Sequence, residues 1–406
     1  MSWISKKEQV MAEVFDFDKK ENFTGLLSRK WEFSKALTGR EDLLPLWIAD
    51  MDFQTVPEVT DALIKRAQAG IFGYAGVTAG YTEAVQAWFK KRHGWQIEPA
   101  EIVQVTGVVT ALHAALHAFS DEGDCILLQT PVYHPFFRTV KETKRRIVEN
   151  PLIRTADGYA IDFADFAAKL EKYQPKIFIL CNPQNPTGRV YTKDELQKLG
   201  EACLKHNTLV VADEIHSDII LGEKKHVPFM TISDALADNA IACTAPSKTF
   251  NLAGLKNSNI IIKNATLRQK FKETLAYLGL PQPNLFPLVA GEAAYKYGEA
   301  WLDAVLNYIR DNRDYALGEI KKRLPDVWAA KPDGTYFLWL DFSKYGFDKE
   351  SLEKFMLDEA KLWFNQGYIF GKLGEGFVRV NIACRRALLE DAIARLEGAL
   401  QKRQKG

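Results

Sequence analysis

Ala245-Pro-Ser-Lys-Thr-Phe-Asn-Leu-Ala-Gly-Leu-Lys256 follows directly on the apolar run Ala240-Ile-Ala-Cys-Thr244, which reads as a buried strand. The run delivers Lys248 to the end of that strand. Withdrawing an ammonium group from water is costly, and the same desolvation lowers the pKa towards the neutral, nucleophilic amine. Such an amine can form an imine with an aldehyde. A lysine that snorkels to the surface past the strand end would carry no chemistry, so the rest of the chain decides between the two readings.

From Glu101 onward strand and helix alternate. The strands read as Ile102-Val-Gln-Val-Thr106, Cys125-Ile-Leu-Leu-Gln129, Lys176-Ile-Phe-Ile-Leu-Cys181, Thr208-Leu-Val-Val-Ala212 and Ile241-Ala-Cys-Thr244, with helices from Val108 to Phe119 and from Lys193 to Lys205 among them. Near-continuous apolar strands joined by helices predict an α/β fold with a mainly parallel sheet covered on both faces. Ligands of such sheets bind at the carboxyl edge of the strands.

That edge collects polar residues one junction at a time. Gly107-Val108-Val109 opens a helix, whose unpaired N–H groups and positive dipole end suit a phosphate. Tyr133 lies in Pro131-Val-Tyr-His-Pro-Phe136, and Asn185 in Cys181-Asn-Pro-Gln-Asn-Pro-Thr-Gly188, where two Asn-Pro steps resist helix and strand. Asp213 ends an apolar strand in Ala212-Asp-Glu-Ile-His216, where an unpaired carboxylate is costly and a cationic partner is expected. Ser247 and Lys256 flank the lysine as further phosphate donors. A lysine for an imine, a carboxylate for a protonated ring nitrogen, a helix N-terminus for phosphate and a tyrosine to stack are the requirements of pyridoxal 5′-phosphate.

The remaining chain frames this unit. Residues 1–38 show no long periodic pattern, Leu43-Leu-Pro-Leu-Trp-Ile-Ala-Asp-Met-Asp-Phe53 reads as a short strand running into a loop, and Pro57 opens an amphipathic helix. The glycine-rich stretch from Gly70 to Gly80 is an irregular loop with Tyr74 in its middle, followed by a helix over 81–91. Pro281-Gln-Pro-Asn-Leu-Phe-Pro287 interrupts the α/β pattern, 288–322 has helical spacing, and strands at 335–340 and 377–381 belong to a smaller α+β unit. The predicted domains are 51–287 and 288–406, with residues 1–50 contributing to the smaller one.

Lys and Arg total 53 against 52 Asp and Glu, a net charge of +1 that gives no field to gather nucleic acid or an anionic membrane. The basic end from Gln401 reads as cations at a helix C-terminus. The five cysteines, Cys125, Cys181, Cys203, Cys243 and Cys384, are scattered through mostly apolar runs and read as reduced packing residues. No signal-like apolar core follows Met1 and no run approaches the ~18 apolar residues of a membrane span, so a cytoplasmic protein with a small-molecule partner is expected. His113 and His117 lie one helical turn apart, but no third ligand is placed for a metal, and both read as packing residues.

The chain resembles the fold-type I pyridoxal-phosphate enzymes of the class I/II aminotransferase superfamily, and more closely the cystathionine β-lyases of the MalY/PatB type. The resemblance rests on Pro45-Leu-Trp-Ile-Ala-Asp-Met-Asp-Phe53, Phe72-Gly-Tyr74, Tyr133-His-Pro135, Asn182-Pro-Gln-Asn-Pro-Thr-Gly188, Asp213-Glu-Ile-His216, Ser247-Lys-Thr-Phe-Asn251 and Gly376-Phe-Val-Arg-Val-Asn381. It implies that Lys248 forms the imine, Asp213 pairs with the pyridine nitrogen, Tyr133 stacks on the ring and Asn185 reaches its 3-oxygen. Gly107, Val108, Val109, Ser247 and Lys256 would grip the phosphate, since Ala245 stands where many aminotransferases place a serine. Arg379 would bind the substrate α-carboxylate in two-pronged fashion, with Ala49 and Asn185 beside it. His216 stands where aspartate aminotransferase-like relatives carry tyrosine, which favours the lyase branch. Tyr74 would reach the neighbouring subunit's phosphate, implying a homodimer with shared sites. The implied reaction is β-elimination from a thioether amino acid, with Lys248 as base and Lys248, Tyr133 or Tyr74 protonating the leaving sulfur. An aminotransferase, or a regulatory protein that binds a transcription factor, are the alternatives.

Overall fold

Seven strands form one sheet: β1 (Ile102–Val105), β2 (Cys125–Thr130), β3 (Arg146–Pro151), β4 (Ile177–Cys181), β5 (Leu209–Asp213), β6 (Ala240–Thr244) and β7 (Ser258–Ile261). Their spatial order is β1-β7-β6-β5-β4-β2-β3. β7 runs antiparallel to both neighbours and every other pairing is parallel. The sheet is therefore mainly parallel, as the apolar runs predict, with one reversed strand that they do not reveal. The computed structural model describes residues 15–280 and 283–405; the reading of residues 1–14 and of the break at positions 281–282 lies outside them.

β4, β5 and β6 are buried along their whole length. Helix α1 (Ala79–His93) precedes β1, and helix α2 (Val108–Phe119) follows it. Ile177, Ile179, Val211, Ile241 and Cys243 pack with Val108, Ala111, Leu112 and Ala115 of α2, while Phe178, Leu180, Val210, Ala212 and Ala242 join the core on the other face. Each fully buried Val, Leu, Ile or Phe side chain among these contributes about 1.5–3 kcal/mol. Two-sided burial fixes the register of the central strands, and with it the place where each chain emerges at the carboxyl edge.

Beyond that sheet, the helical stretch expected over 288–322 is two helices, α4 (Leu285–Tyr297) and α5 (Glu299–Arg323), with the short helix α3 (Pro246–Thr249) preceding them in the chain. The break falls at Gly298, where a Cβ would lie 2.4 Å from Phe250 Cε1. α4 begins inside the stretch predicted to interrupt helix. Pro287 occupies its first turn, where a missing N–H leaves no intrahelical bond unmade.

A second sheet holds β8 (Trp328–Ala329), β9 (Phe337–Asp341), β10 (Asn365–Gln366) and β11 (Phe377–Asn381) in the order β8-β9-β11-β10, all antiparallel. β9 starts two residues later than predicted. Thr335 has φ 64°, a left-handed conformation that no extended strand contains. Leu44–Pro45 pairs in parallel with Leu362–Trp363, and Asn381 N donates to Leu46 O at 2.8 Å. Residues 44–53 thus run from the second sheet towards the Lys248 segment, and the C-terminal helix α6 (Arg386–Lys405) closes the chain.

Candidate active site

Lys248 stands on α3, which starts at Pro246 immediately after β6. Its side chain turns inward: Nζ donates to Ala49 O at 2.8 Å, and Tyr336 Oη donates to the same oxygen at 2.9 Å. The snorkelling alternative is excluded by that contact. Burial lowers the Lys248 pKa; Asp50 and Asp213 pull it back up, and Arg379 adds to the lowering. Asn251, at φ 56°, fixes the segment from its other end. Its Oδ1 accepts from Met51 N at 3.0 Å, and its Nδ2 donates to Met51 O at 3.0 Å and Phe53 O at 2.8 Å.

Lys248 faces a cavity of about 320 Å³ at the carboxyl edge of the sheet. Gly107, Val108, Val109, Tyr133, Asn185, Asp213, His216, Ser247, Lys256 and Ala49 all line it, so residues predicted from separate junctions converge. Thr106, Thr110, Cys181, Ile215, Ala253 and Asn257 also line it and were not predicted as site residues. Lys256 and Asn257 reach the edge because β7 is reversed and therefore begins there. Asn257 is pinned by donating from Nδ2 to Tyr81 Oη and Pro287 O, both at 3.0 Å.

Gly107 caps α2 at φ 138°, a backbone state that favours glycine, and an added Cβ would meet nothing within 4 Å. Conformation, not crowding, demands glycine here, and open space lies in front of the helix N-terminus. The first N–H groups of α2 have no intrahelical partners and border the cavity, which fits a phosphate.

Asp213 supplies the second test of fit. Its Oδ1 accepts only a backbone bond, from Ile215 N at 3.1 Å, and it forms no ion pair among the described residues. Burial pushes its carboxyl up to about 7; Glu214 adds to the rise, while Ile215 N–H and Lys248 oppose it. A buried carboxyl without a cation, bordering a cavity, fits a protonated ring nitrogen. His216, edge-on to Tyr336 and Phe337 with centroids 5.8 Å away in each case, has an unpartnered Nδ1, and burial holds its ring neutral. Tyr133 stands edge-on to Phe136 at 5.8 Å, and burial raises its hydroxyl pKa.

Arg379, on β11, is one hydrogen bond from the cavity: Nη1 donates to Asn185 Oδ1 at 2.9 Å. Nη2 donates to Trp47 O at 3.0 Å and to Asn365 Oδ1, and the guanidinium lies 4.0 Å from the Phe337 ring centroid. Its Nε is buried and unpartnered, and burial lowers the group's pKa to about 10. Arg379 thus stands just behind the lining, whereas Tyr74 lines none of its own chain's cavity. It is fully exposed in the 70–78 loop, with Ile71, Phe72 and Val77 exposed beside it. His113 is partly buried, its Nε2 lying 3.5 Å from Glu142 Oε2. His117 is exposed, which corrects its reading as a packing residue.

The sequence pattern of the family described as aminotransferase class I and II matches residues 41–396. The chain is 45% identical to cystathionine beta-lyase PatB of Bacillus subtilis over 95% of its own length and 100% of the relative's. It is 34% identical to protein MalY of Escherichia coli, covering 96% of this chain and 99% of that one. Among solved structures, cystalysin from Treponema denticola, which contains pyridoxal 5′-phosphate, superposes with a TM-score of 0.92 at 36% identity over 96% of this chain and 99% of that one.

Proposed function

The chain belongs to the class I and II aminotransferase family, of fold type I, and from that premise we propose α,β-elimination from L-cystathionine or a related thioether amino acid as its reaction. Water is consumed, and the products are a thiol, pyruvate and ammonia. Pyridoxal 5′-phosphate is the cofactor. The observation that carries the reading is the single cavity in which inward-turned Lys248 and unpaired Asp213 share walls with the α2 N-terminus. The likeness to proteins named as cystathionine β-lyases selects elimination among the reactions such a site can run.

When bound, the cofactor supplies an electron sink for heterolysis of the substrate Cα–H bond. In our reading Lys248 would hold the aldehyde carbon of that group and, once free, its Nζ would take the substrate α-proton. Asp213 would hold a proton at the ring nitrogen, Tyr133 would stack on the ring and Asn185 would reach its 3-oxygen, all three from the walls of the one cavity. The N–H groups of Val108 and Val109, with Ser247 and Lys256, would hold the phosphate. Arg379 binds the substrate carboxylate; its unpartnered Nε supports that role. His216 packs edge-on against Tyr336, adds no charge to the cavity wall beside Asp213, and would meet the cofactor from that wall. Lys248, Tyr133 or Tyr74 protonates the leaving sulfur.

Purified protein with L-cystathionine should release pyruvate and free thiol in equal amounts without any added 2-oxo acid. Turnover that requires a 2-oxo acid would replace this reading with transamination.

We further propose a cytoplasmic homodimer in which Tyr74 completes the partner's site. The support is the full exposure of Tyr74 within an apolar loop. Tyr74→Phe and Lys248→Ala protomers, each impaired, should regain activity on mixing, because one site of the mixed dimer then carries both defects and the other neither. No gain despite verified subunit exchange would remove the shared-site proposal. Two structural units, 51–287 and 288–406 with 1–50 attached to the latter, are proposed on the two separate sheets and the pairing of Leu44–Pro45 with Leu362–Trp363.

A further inference from the structure

Outside the cavity, a buried carboxylate joins the lysine's helix to the rest of the molecule. Trp88 Nε1 lies 3.2 Å from each oxygen of Asp218, His93 Nε2 lies 2.8 Å from Oδ1, and Thr249 Oγ1 donates to Oδ2 at 2.8 Å. Trp88 and His93 belong to α1, and Thr249 is the residue after Lys248 on α3. Burial would raise the Asp218 pKa, but these donors prevail and hold it below the usual carboxylate range.

Asp218 ends the same short segment that Asp213 begins. The segment is bonded within itself and to its surroundings: Ser217 N donates to Glu214 O and Ile219 N to His216 O, each at 2.9 Å, while Glu214 Oε1 accepts from Phe229 N at 2.7 Å. His226 stands 3.6 Å from Glu214 and edge-on to His93 with centroids 5.5 Å apart. Residues 213–218 are buried except for half-buried Ile215. One stiff segment therefore carries the ring-nitrogen carboxylate at one end and the tether of the lysine's helix at the other.

We propose that Asp218, acting through Thr249 Oγ1, is a positioning residue that sets the spacing between Lys248 and Asp213. The proposal rests on the reading of those two residues as the groups that hold opposite ends of the cofactor ring. A planar ring has a fixed length, so its two holders must be spaced to match, and misplacement by about 1 Å costs on the order of 10²-fold in rate. Thr249 makes its Asp218 contact with a hydroxyl, which allows the tether to be cut without changing side-chain shape.

The test compares cofactor-loaded wild type with Thr249→Val, which lacks the hydroxyl, and Thr249→Ser, which keeps it. In Thr249→Val, kcat should fall about tenfold or more with KM held within about twofold. The pH midpoint of the bound cofactor's absorption change should also move, by about half a unit or more. Thr249→Ser should restore both. Should Thr249→Val fail to fold, Thr249→Ala makes the same comparison. Unchanged kcat and pH midpoint in a folded variant lacking the hydroxyl, or equal impairment in Thr249→Ser, would overturn the proposal. Borohydride reduction of wild type followed by peptide mapping separates the two failures. Cofactor on another lysine removes the underlying reading and the proposal with it, whereas cofactor on Lys248 with unchanged variants overturns the proposal alone.

Discussion

Lys248→Ala protein is expected to lose both its reducible link to the cofactor and its elimination activity, by a factor on the order of 10⁴ or more. The size of the effect follows from the two jobs proposed for one atom: Nζ would anchor the cofactor and then carry the α-proton, and groups that act as a unit fail together. Among the described residues no lysine other than Lys256 shares the cavity with it. Lys256 also lines the cavity, but it sits ahead of β7 at φ 52° and is assigned to the phosphate. Stopped-flow measurement of pyruvate release, together with absorption of borohydride-treated protein, checks the loss. A variant that retained a tenth of wild-type turnover would overturn the assignment.

Asp213→Asn is expected to move activity and stability in opposite directions. Removing one partner of a buried ion pair costs about 3–5 kcal/mol, which would lower turnover on the order of 10²–10⁴-fold if felt at the proton-abstraction step. In the cofactor-free protein the same carboxyl is a liability. Below pH 3.8 it is protonated folded and unfolded, and it contributes no difference. Between 3.8 and about 7 only the unfolded chain releases the proton, so folded stability declines as pH rises, and above about 7 the full cost is present. That cost is about 4 kcal/mol, at about 1.4 kcal/mol per pH unit. Cofactor-free Asp213→Asn should therefore be more stable than wild type at pH 8 and indistinguishable from it below pH 4. Urea unfolding at both pH values checks this, and equal stability at pH 8 would contradict the unpaired-carboxyl account.

The central strands were legible because a strand buried on both faces is apolar at every position, as in Ile177–Cys181 and Leu209–Asp213. The convergence of the candidate site residues on one cavity was legible for the same reason: an abrupt Asp, Lys or Gly at the end of such a run has few structural uses. β7 escaped because its first two residues, Ser258 and Asn259, are polar, which leaves only Ile260 and Ile261 as an apolar run within it. Ser258 Oγ donates to Val105 O at 2.8 Å, and Asn259 Oδ1 accepts from Tyr81 Oη at 2.7 Å, partners far away in the chain. Missing β7 also concealed Asn257, since only a reversed strand brings its beginning to the carboxyl edge. β3 is an edge strand with charged, exposed positions alternating with buried ones, a pattern easily taken for loop. Tyr336 carried no local signal at all, because its partner, the Ala49 carbonyl, lies 287 positions away.

The whole account turns on which lysine holds the cofactor. Wild-type protein reduced with borohydride, digested and analysed by mass spectrometry should carry the reduced cofactor's mass on the peptide that contains Lys248, in near-stoichiometric amount, and on no other. Stoichiometric label on Lys256 or on any lysine outside the cavity would contradict it.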